Sequence, residues 1–251
     1  VSDARMLADL GAEVIKIEAA IRLDSHRQTT YPDNDPGDHF WDRGGTYHSE
    51  NRGKLGITLD LRNPVAVEVC KDLVRISDVV VENFRPGLMA SFGLAHDQLA
   101  PEHPRLVSCS IPAFDEGEDP TRPGYDIIVQ ALSGHMSVTG EPDRPPMRPG
   151  VALLDVVCGL YAANAIQAAL IRRASTGEGA HVTVSLFASG VAALVNQAAN
   201  YLVGGEVPHR MGTAHPNIVP YQVFEVADGY IIIATGNDNQ FVKLCGVLGA
   251  K

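Results

Sequence analysis

The first half of the chain alternates short apolar runs, typical of strands, with stretches whose apolar residues recur at helical spacing. The runs EVIKIE, GITLDL, DVVVE and RLVSCSI predict strands at 13–18, 56–61, 78–82 and 105–111. The stretches between them predict helices at 3–10, 64–76 and 87–100. This alternation predicts an α/β fold with a doubly wound parallel sheet, in which the strand at 56–61 pairs with the strand at 78–82.

Two long apolar stretches dominate the second half of the chain. The first predicts a helix, because apolar residues recur along it at helical spacing: Val156, Leu160, Ala163, Ile166 and Leu170. It ends at the sequence TGEG at 176–179, and a strand is predicted at 181–185. The second stretch predicts a helix over 186–203, and a hairpin that turns at Asp228-Gly229 follows it.

These elements predict two domains. We expect a large Rossmann-like domain over 1–185 and, over 186–251, a linker helix with the start of a smaller α+β domain. The chain opens directly on a helix, with no strand before it, and it closes inside a helical pattern. We therefore expect a sequence that is truncated at both ends.

Composition excludes one class of partner. The 251 residues carry a net charge of −10, whereas a nucleic-acid-binding protein needs a basic surface that collects phosphates. A few local arginines can still bind a small anion within an acidic protein. The four cysteines are widely spaced within apolar segments, which predicts buried thiols in a reducing compartment.

The apolar runs and the start of the sequence predict where the protein is located. No uninterrupted apolar run is long enough to span a bilayer, and no signal peptide opens the chain. We expect a protein that binds no membrane and lies in the cytoplasm, or in mitochondria or peroxisomes if its source is eukaryotic.

Several common cofactor motifs are missing from the sequence. It contains no GxGxxG after a strand, no GxxxxGK[ST] and no GxSxG, so nothing indicates a dinucleotide, ATP or a hydrolase elbow. The nine histidines never fall at metal-ligand spacing, and we predict no metal and no tightly bound cofactor.

Asp155 stands at the entrance to the first apolar helix and has two interpretations. Its carboxylate can cap the helix by accepting from the N–H groups of Val157 or Cys158. Alternatively, it is a carboxylate held partly out of water and ready to act as a nucleophile. Spacing alone favours the cap, since Asp is among the commonest capping residues.

Eight stretches, in order and at natural spacing, resemble the class III CoA-transferases, the CaiB/BaiF-type family of formyl-CoA and carnitinyl-CoA transferases. They are LADLGAEVIKIE (7–18), NRGKLGITLDL (51–61), DVVVENFRPG (78–87), PGYDIIVQALSG (123–134), TGEP (139–142), RPGVALLD (148–155), TGEGAHVTVSL (176–186) and RMGTAHPNIVPYQVF (210–224). The last stretch is most similar to the subgroup that includes succinyl-CoA:glutarate-type transferases. The resemblance covers nearly the whole chain.

The resemblance implies that Asp155 is the catalytic nucleophile. In this family the carboxylate attacks an acyl-CoA thioester to give a mixed anhydride, and CoA thiolate converts that anhydride into an aspartyl-CoA thioester. A second carboxylic acid then takes up the CoA. Helix N-terminal amides would orient the carboxylate and hold the oxyanion that forms on attack.

Tyr125 separates two reactions within the family. Acyl-CoA racemases share the Asp but carry His at the position of Tyr125. A racemase needs a base with a pKa near neutrality, whereas the ordinary pKa of Tyr is about 10. The racemase therefore remains an alternative behind the transferase, and simple ring packing is the structural alternative for Tyr125.

The resemblance also assigns candidate contacts to coenzyme A, the substrate. Asn83 and Phe84 match positions that line the nucleotide and pantetheine, and Lys54 matches a basic residue near the phosphates. Arg85 and Arg52 are helpers on charge alone. For each of these the alternative is an ordinary surface side chain. Ala19 stands where relatives carry a basic residue, which leaves Arg22 or Arg27 to substitute, and Ser91 replaces a further Arg.

The acceptor is predicted to be a dicarboxylate or another polar acid. Formyl-type enzymes have a tetraglycine loop where this chain has His215-Pro216-Asn217-Ile218, so formyl or oxalyl specificity is not expected. His215 can donate to a carboxylate, and Arg148 is the first choice for a grip on a distal carboxylate. A surface arginine is the alternative for Arg148.

The family forms interlocked homodimers, and we expect the same here because two apolar helices need partners. The competing hypothesis from another class of protein is a non-catalytic CoA-binding or scaffold protein.

Overall fold

The structure is a computed structural model that describes residues 2–115, 117 and 122–250. The chain divides into two compact units. The first comprises residues 1–129 and 152–190, and the second comprises residues 130–151 and 191–251. The sequence-based division into 1–185 and 186–251 differs, because it assigns 130–151 to the first domain. As a statement about folding domains, that division stays a prediction.

The described residues form α-helices and strands in the following order: α1 (Ser2–Asp9), β1 (Val14–Glu18), α2 (Gly45–Asn51), β2 (Lys54–Thr58), α3 (Pro64–Arg75), β3 (Val79–Glu82), α4 (Leu88–Ser91), α5 (His96–Leu99), β4 (Val107–Ser110), α6 (Asp126–Leu132), α7 (His135–Val138), α8 (Leu153–Thr176), β5 (Ala180–Thr183), α9 (Leu186–Ala192), α10 (Asn196–Gly204), β6 (Tyr221–Val226), β7 (Gly229–Ala234) and α11 (Asp238–Leu248). Short 3₁₀ helices at 25–28, 32–34 and 40–42 occupy the segment between β1 and α2.

The strands pair in three groups. β1 pairs with β2 in parallel, and β3, β4 and β5 form a parallel sheet in that order. β6 and β7 form the antiparallel hairpin that the sequence predicts. The α/β class with parallel sheets is therefore confirmed. The predicted pairing of the strand at 56–61 with that at 78–82 is wrong, because Lys54 of β2 lies opposite Val14 of β1 and α3 leads the chain into the other sheet.

Helix α8 forms the centre of the first unit. It packs against α1, β4 and β5, and Ala162 and Ile166 are fully buried beside Cys109 of β4. By length and composition its 24 residues could cross a membrane, although polar residues such as Asn164 and Gln167 interrupt its apolar run. A buried core helix has the same composition, and its contacts with the sheet explain the apolar sequence.

The apolar stretch at 186–203 was predicted to be one helix and forms two, α9 and α10. The break lies at 193–195, where Val195 adopts φ +46°, a conformation that β-branched residues rarely take. The predicted helix at 87–100 is also two short helices, separated where Gly93 adopts φ +71°. α11 ends at Gly249, whose left-handed conformation closes the helix. Of the four cysteines, Cys245 is only partly buried.

Candidate active site

Asp155 lies inside the first turn of α8 and does not cap it. The N-cap position belongs to Ala152, which offers no side-chain acceptor, and the helix already runs from Leu153. The capping interpretation of Asp155 is therefore wrong. Among the described contacts, the Asp155 carboxylate accepts no hydrogen bond from the N–H groups of Val157 or Cys158, which it was predicted to cap.

Asp126, the first residue of α6, provides the missing cap from a distance of 28 residues in sequence. Its Oδ1 accepts from the N–H of Leu154 at 2.8 Å and from the N–H of Asp155 at 3.3 Å. Two of the otherwise unpaired donors at the start of α8 are thereby satisfied. Residue 126 is part of the GYD sequence, in which only Tyr125 was predicted to be functional. The available signal was an acidic residue at the start of an apolar segment that forms α6.

Glycine at position 124 sets where α6 begins. A Cβ at this position would lie 1.9 Å from the Cβ of Ala113, so only glycine allows the two segments to approach. Tyr125 follows immediately, and its carbonyl oxygen accepts from the N–H groups of Ile128 and Val129. The Tyr125 side chain is 74% exposed, which excludes the alternative that it serves as a packed core aromatic.

The electrostatic environment of Asp155 favours its neutral form. Burial among protein atoms raises the pKa of the Asp155 carboxyl although the residue retains exposed surface, and the negative charge of Asp126 raises the pKa further. In the described parts of the chain, no lysine or arginine forms an ion pair with Asp155. One turn later, burial raises the pKa of the Cys158 thiol, which also contacts the carbonyl oxygen of Val184 at 3.6 Å.

The start of α8 lies at the carboxyl edge of the β3-β4-β5 sheet. Cys158 contacts Val184, the residue after β5, and the sheet is parallel throughout. The residues that follow β3 must emerge at the same edge, where α/β proteins bind their ligands. These are Asn83, Phe84 and Arg85, and all three are exposed. Phe84 is 43% exposed, and its N–H donates to Glu82 at 2.7 Å.

Lys54 opens β2 and is partly buried. Its Nζ donates to Oδ1 of Asn51 at 3.1 Å, and burial together with the charge of Lys16 lowers the pKa of the Lys54 ammonium. The side chain lines a cleft of about 430 Å³ that also contains Lys16, Tyr47 and Arg52. Arg52 is already paired, since its guanidinium donates to both carboxylate oxygens of Asp9 at 2.9 and 2.6 Å.

A second cleft, of about 310 Å³, adjoins the carboxyl end of β1. Arg27 lies in it with a side chain that is only 16% exposed. It donates to Glu18 at 2.6 Å and to the carbonyl oxygen of Trp41 at 2.6 Å, and it stacks over the ring of Tyr47 at 3.7 Å. Of the two proposed substitutes for a basic residue at position 19, Arg27 is thus held in a network, whereas Arg22 is exposed.

Two predicted acceptor contacts belong to the second unit. Arg148 is exposed, and its guanidinium donates to the carbonyl oxygen of Pro149 at 3.0 Å. His215 is partly buried; its Nδ1 accepts from the N–H of Asn217 at 3.0 Å, and its ring lies 5.2 Å from that of Tyr221. Its remaining ring nitrogen, Nε2, is the atom with which a ligand could bond.

A metal site requires several ligands at one place. Among the described residues, no three His, Cys, Asp or Glu side chains come together to hold an ion. The absence of a metal in the protein stays a prediction.

Comparison with known proteins decides the family. The family model of CoA-transferase family III matches residues 2–251. The chain belongs to this family. The resemblance read from the eight motifs is therefore confirmed.

Several relatives of this family III chain have named activities. It is 46% identical over 98% of its length to a succinate–glutarate CoA-transferase from Agrobacterium fabrum, and 41% identical over 96% to a human succinyl-CoA:glutarate CoA-transferase. It covers 62% and 54% of those two proteins, so the sequence spans somewhat more than half their length. A crystal structure of a CaiB/BaiF family protein from Brucella suis is 44% identical, with a TM-score of 0.82 over 99% of this chain and 65% of that one.

Proposed function

We propose that the protein transfers CoA from an acyl-CoA donor to a carboxylic acid acceptor, with Asp155 as the covalent nucleophile. The observation that carries this proposal is the position of Asp155 in the first turn of α8, where no described lysine or arginine pairs with it and where its pKa is raised. A carboxylate that merely stabilises a fold is normally paired or used as a cap. Membership of family III and the names of the relatives support the reaction class.

The reaction proceeds in four balanced steps. An Asp155 oxygen attacks the thioester carbonyl, and CoA thiolate leaves to give a mixed anhydride. The thiolate attacks the aspartyl carbonyl, which releases the donor acid and forms an aspartyl-CoA thioester. The acceptor carboxylate attacks this thioester and expels the thiolate again. The thiolate then attacks the new acyl carbonyl, so that acyl-CoA leaves and Asp155 returns as a carboxylate.

A raised pKa suits this role of Asp155. Oxygen nucleophiles gain intrinsic reactivity as their basicity rises, and burial removes water that would weaken the attack. The raised pKa therefore indicates that the charged form of Asp155 is less stabilised than that of an exposed aspartate, which favours its attack on a thioester.

The oxyanion role expected for the amides at the start of α8 is not supported. The N–H groups of Leu154 and Asp155 already donate to Asp126. An oxyanion at this point would compete with a carboxylate for the same donors. We assign these amides to holding α8 and not to the reacting oxygen.

Intact-mass spectrometry tests the proposal. Incubation with succinyl-CoA should add the mass of CoA through a thioester bond to wild-type protein, and hydroxylamine should remove it. The Asp155→Ala variant should gain no adduct, and Asp143→Ala, which changes an exposed aspartate, should label like wild type. A wild-type protein that binds CoA without forming an adduct would support the scaffold hypothesis instead.

The racemase alternative has its own test. An acyl-CoA with a chiral α-carbon should exchange its α-proton in deuterated water only if a base removes it. We expect no exchange, because Tyr125 stands where racemases carry His and is a poor base at neutral pH.

We propose a dicarboxylate acceptor, since succinate and glutarate appear in the names of the relatives. We propose that Arg148 binds the distal carboxylate of the acceptor, because a guanidinium binds a carboxylate through two hydrogen bonds. Arg148→Lys should raise the KM for glutarate about tenfold and leave a monocarboxylate unchanged. Arg144→Lys changes another exposed arginine and serves as the control. Equal effects on both acids would remove Arg148 from the acceptor site.

We also propose that the protein acts as a homodimer, which light scattering at micromolar concentration would test. Its cytoplasmic location stays a prediction.

A further inference from the structure

The cap of α8 comes from another helix, and it is itself an acid. Asp126 accepts from the N–H groups of Leu154 and Asp155, whereas the N-cap residue Ala152 contributes no side-chain acceptor. Other described helices are capped by a neighbour in sequence, such as Asn63 for α3 and Asn237 for α11. A neutral residue at position 152 could have capped α8 equally well.

We propose that Asp126 is a positioning residue, whose carboxylate fixes the first turn of α8 through its two hydrogen bonds and places a negative charge beside Asp155. This inference rests on the proposed function of Asp155. It assigns two separable tasks to one carboxylate, because the hydrogen bonds need only an acceptor oxygen while the basicity of Asp155 responds to the charge.

Four charged groups act on Asp155 besides its burial. The negative charges of Asp126 and Glu50 raise the pKa of the Asp155 carboxyl, whereas positive charges on the amino terminus and on His26 lower it. Asp126 has the largest influence of the four. It is also the only one of them whose carboxylate hydrogen-bonds to the backbone N–H of residue 155 among the described contacts.

Two substitutions separate the tasks. Asp126→Asn keeps an acceptor oxygen for the two N–H groups and removes the charge. Asp126→Ala removes both. Asp97→Asn is the matched control, because Asp97 also lies in the first turn of a short helix, α5, and is not among the groups that act on Asp155.

The primary measurement is an NMR titration of the Asp155 carboxyl in protein with ¹³C-labelled aspartate, with the signal assigned from Asp155→Asn. The midpoint should fall in Asp126→Asn toward that of an ordinary aspartate and should not move in Asp97→Asn. This readout requires no turnover. An unchanged midpoint in Asp126→Asn would overturn the inference.

The second measurement is the rate of CoA adduct formation. In Asp126→Asn the decrease of this rate at acidic pH should move to lower pH, while the rate at pH 8 stays within about twofold of wild type. Asp126→Ala should slow labelling at pH 8 at least about tenfold, because the first turn of α8 is no longer held. Asn and Ala variants with equal rates at pH 8 would overturn the positioning role. If wild-type protein forms no adduct at all, the proposed function fails, and the titration still decides the electrostatic part.

Discussion

Two groups of carboxylates in the first unit differ in what surrounds them. Beside β1, Glu18 and Asp24 lie in contact with cations: Arg27 donates to Glu18 at 2.6 Å, and Lys16 pairs with Asp24. At the start of α8, Asp155 and Asp126 lie near one another, and Asp126 hydrogen-bonds to backbone amides. All four are aspartate or glutamate side chains that are at least partly buried or restrained.

The pKa values of Glu18 and Asp24 shift in the direction opposite to that of Asp155. Burial raises the pKa of Glu18, but the hydrogen bond from Arg27 and the charge of Lys16 outweigh it, and the net pKa is lowered. The same balance, with Lys16 as donor, lowers the pKa of Asp24. For Asp155 burial and the charge of Asp126 act together, and the pKa is raised. The difference is consistent with the proposed function, in which Glu18 and Asp24 stabilise the fold and Asp155 acts as the nucleophile at some cost to stability.

The largest expected effect follows from removing the reactive carboxylate. Asp155→Asn should lower CoA transfer by on the order of 10³-fold or more, because the covalent route is lost. Its thermal midpoint should equal or exceed that of wild type, since a carboxylate with a raised pKa no longer lies near Asp126. Steady-state turnover and calorimetry measure the two quantities. A variant that retains several per cent of activity would contradict the assignment of the nucleophile.

Removing the cation beside Glu18 should lower stability, in contrast to the removal of the Asp155 carboxylate. Arg27→Met should lower the free energy of unfolding by about 2 kcal/mol, because Glu18 would keep a partly buried charge without its main hydrogen-bond donor. Urea unfolding measures this loss. If Arg27→Met lowers the free energy of unfolding no more than the substitution of an exposed arginine does, the proposed difference between the two carboxylate groups is wrong.

The sequence predicted the elements better than their pairing. Strands β1 to β5 and helices α3 and α8 were found because apolar periodicity is a local property. The pairing of β2 with β1 was missed, because the register of a parallel sheet depends on contacts between distant segments. The break between α9 and α10 was missed for a different reason, since the sequence around Val195 remains apolar and contains no proline.

The site shows the same limit. Asp155 was identified through the resemblance, whereas its spacing alone favoured a cap. Asp126 was overlooked, because its partner amides lie 28 and 29 residues away and no local pattern connects them. The Arg27 network likewise joins residues on β1, α2 and the intervening 3₁₀ helices. Contacts of this kind need the folded chain.

The pH dependence of stability should have opposite signs for the two groups. The lowered pKa of Glu18 contributes stability that is present above the unfolded pKa of Glu, about 4.3, and is lost as pH falls through the folded value. Asp155 has a raised pKa, so its contribution is present below the unfolded pKa of Asp, about 3.9, and is lost as pH rises through the folded value.

Urea unfolding between pH 3 and pH 8 tests both signs. As pH rises, wild type should gain stability relative to Glu18→Gln and lose stability relative to Asp155→Asn. Asp97→Asn again provides the control, and its difference from wild type should stay flat. If the stability differences of Glu18→Gln and Asp155→Asn from wild type change in the same direction with pH, the surroundings of Glu18 and Asp155 do not differ electrostatically.

The smallest effect is expected for an exposed pair with a lowered pKa. Arg62 donates to both oxygens of Asp60 at 2.9 to 3.3 Å through Nε and Nη2, and these hydrogen bonds lower the pKa of Asp60. Unlike Glu18, this carboxylate lies in solvent, where water replaces a lost partner.

Arg62→Met should therefore leave the thermal midpoint unchanged within error, although it raises the pKa of Asp60. This result would show that a lowered carboxyl pKa indicates only that a cation lies nearby. Whether that cation stabilises the fold would then depend on how deeply the carboxylate is buried. If Arg62→Met and Arg27→Met cost the same, the distinction would fail. The cation beside Glu18 would then matter through its charge alone and not through its position in a partly buried network.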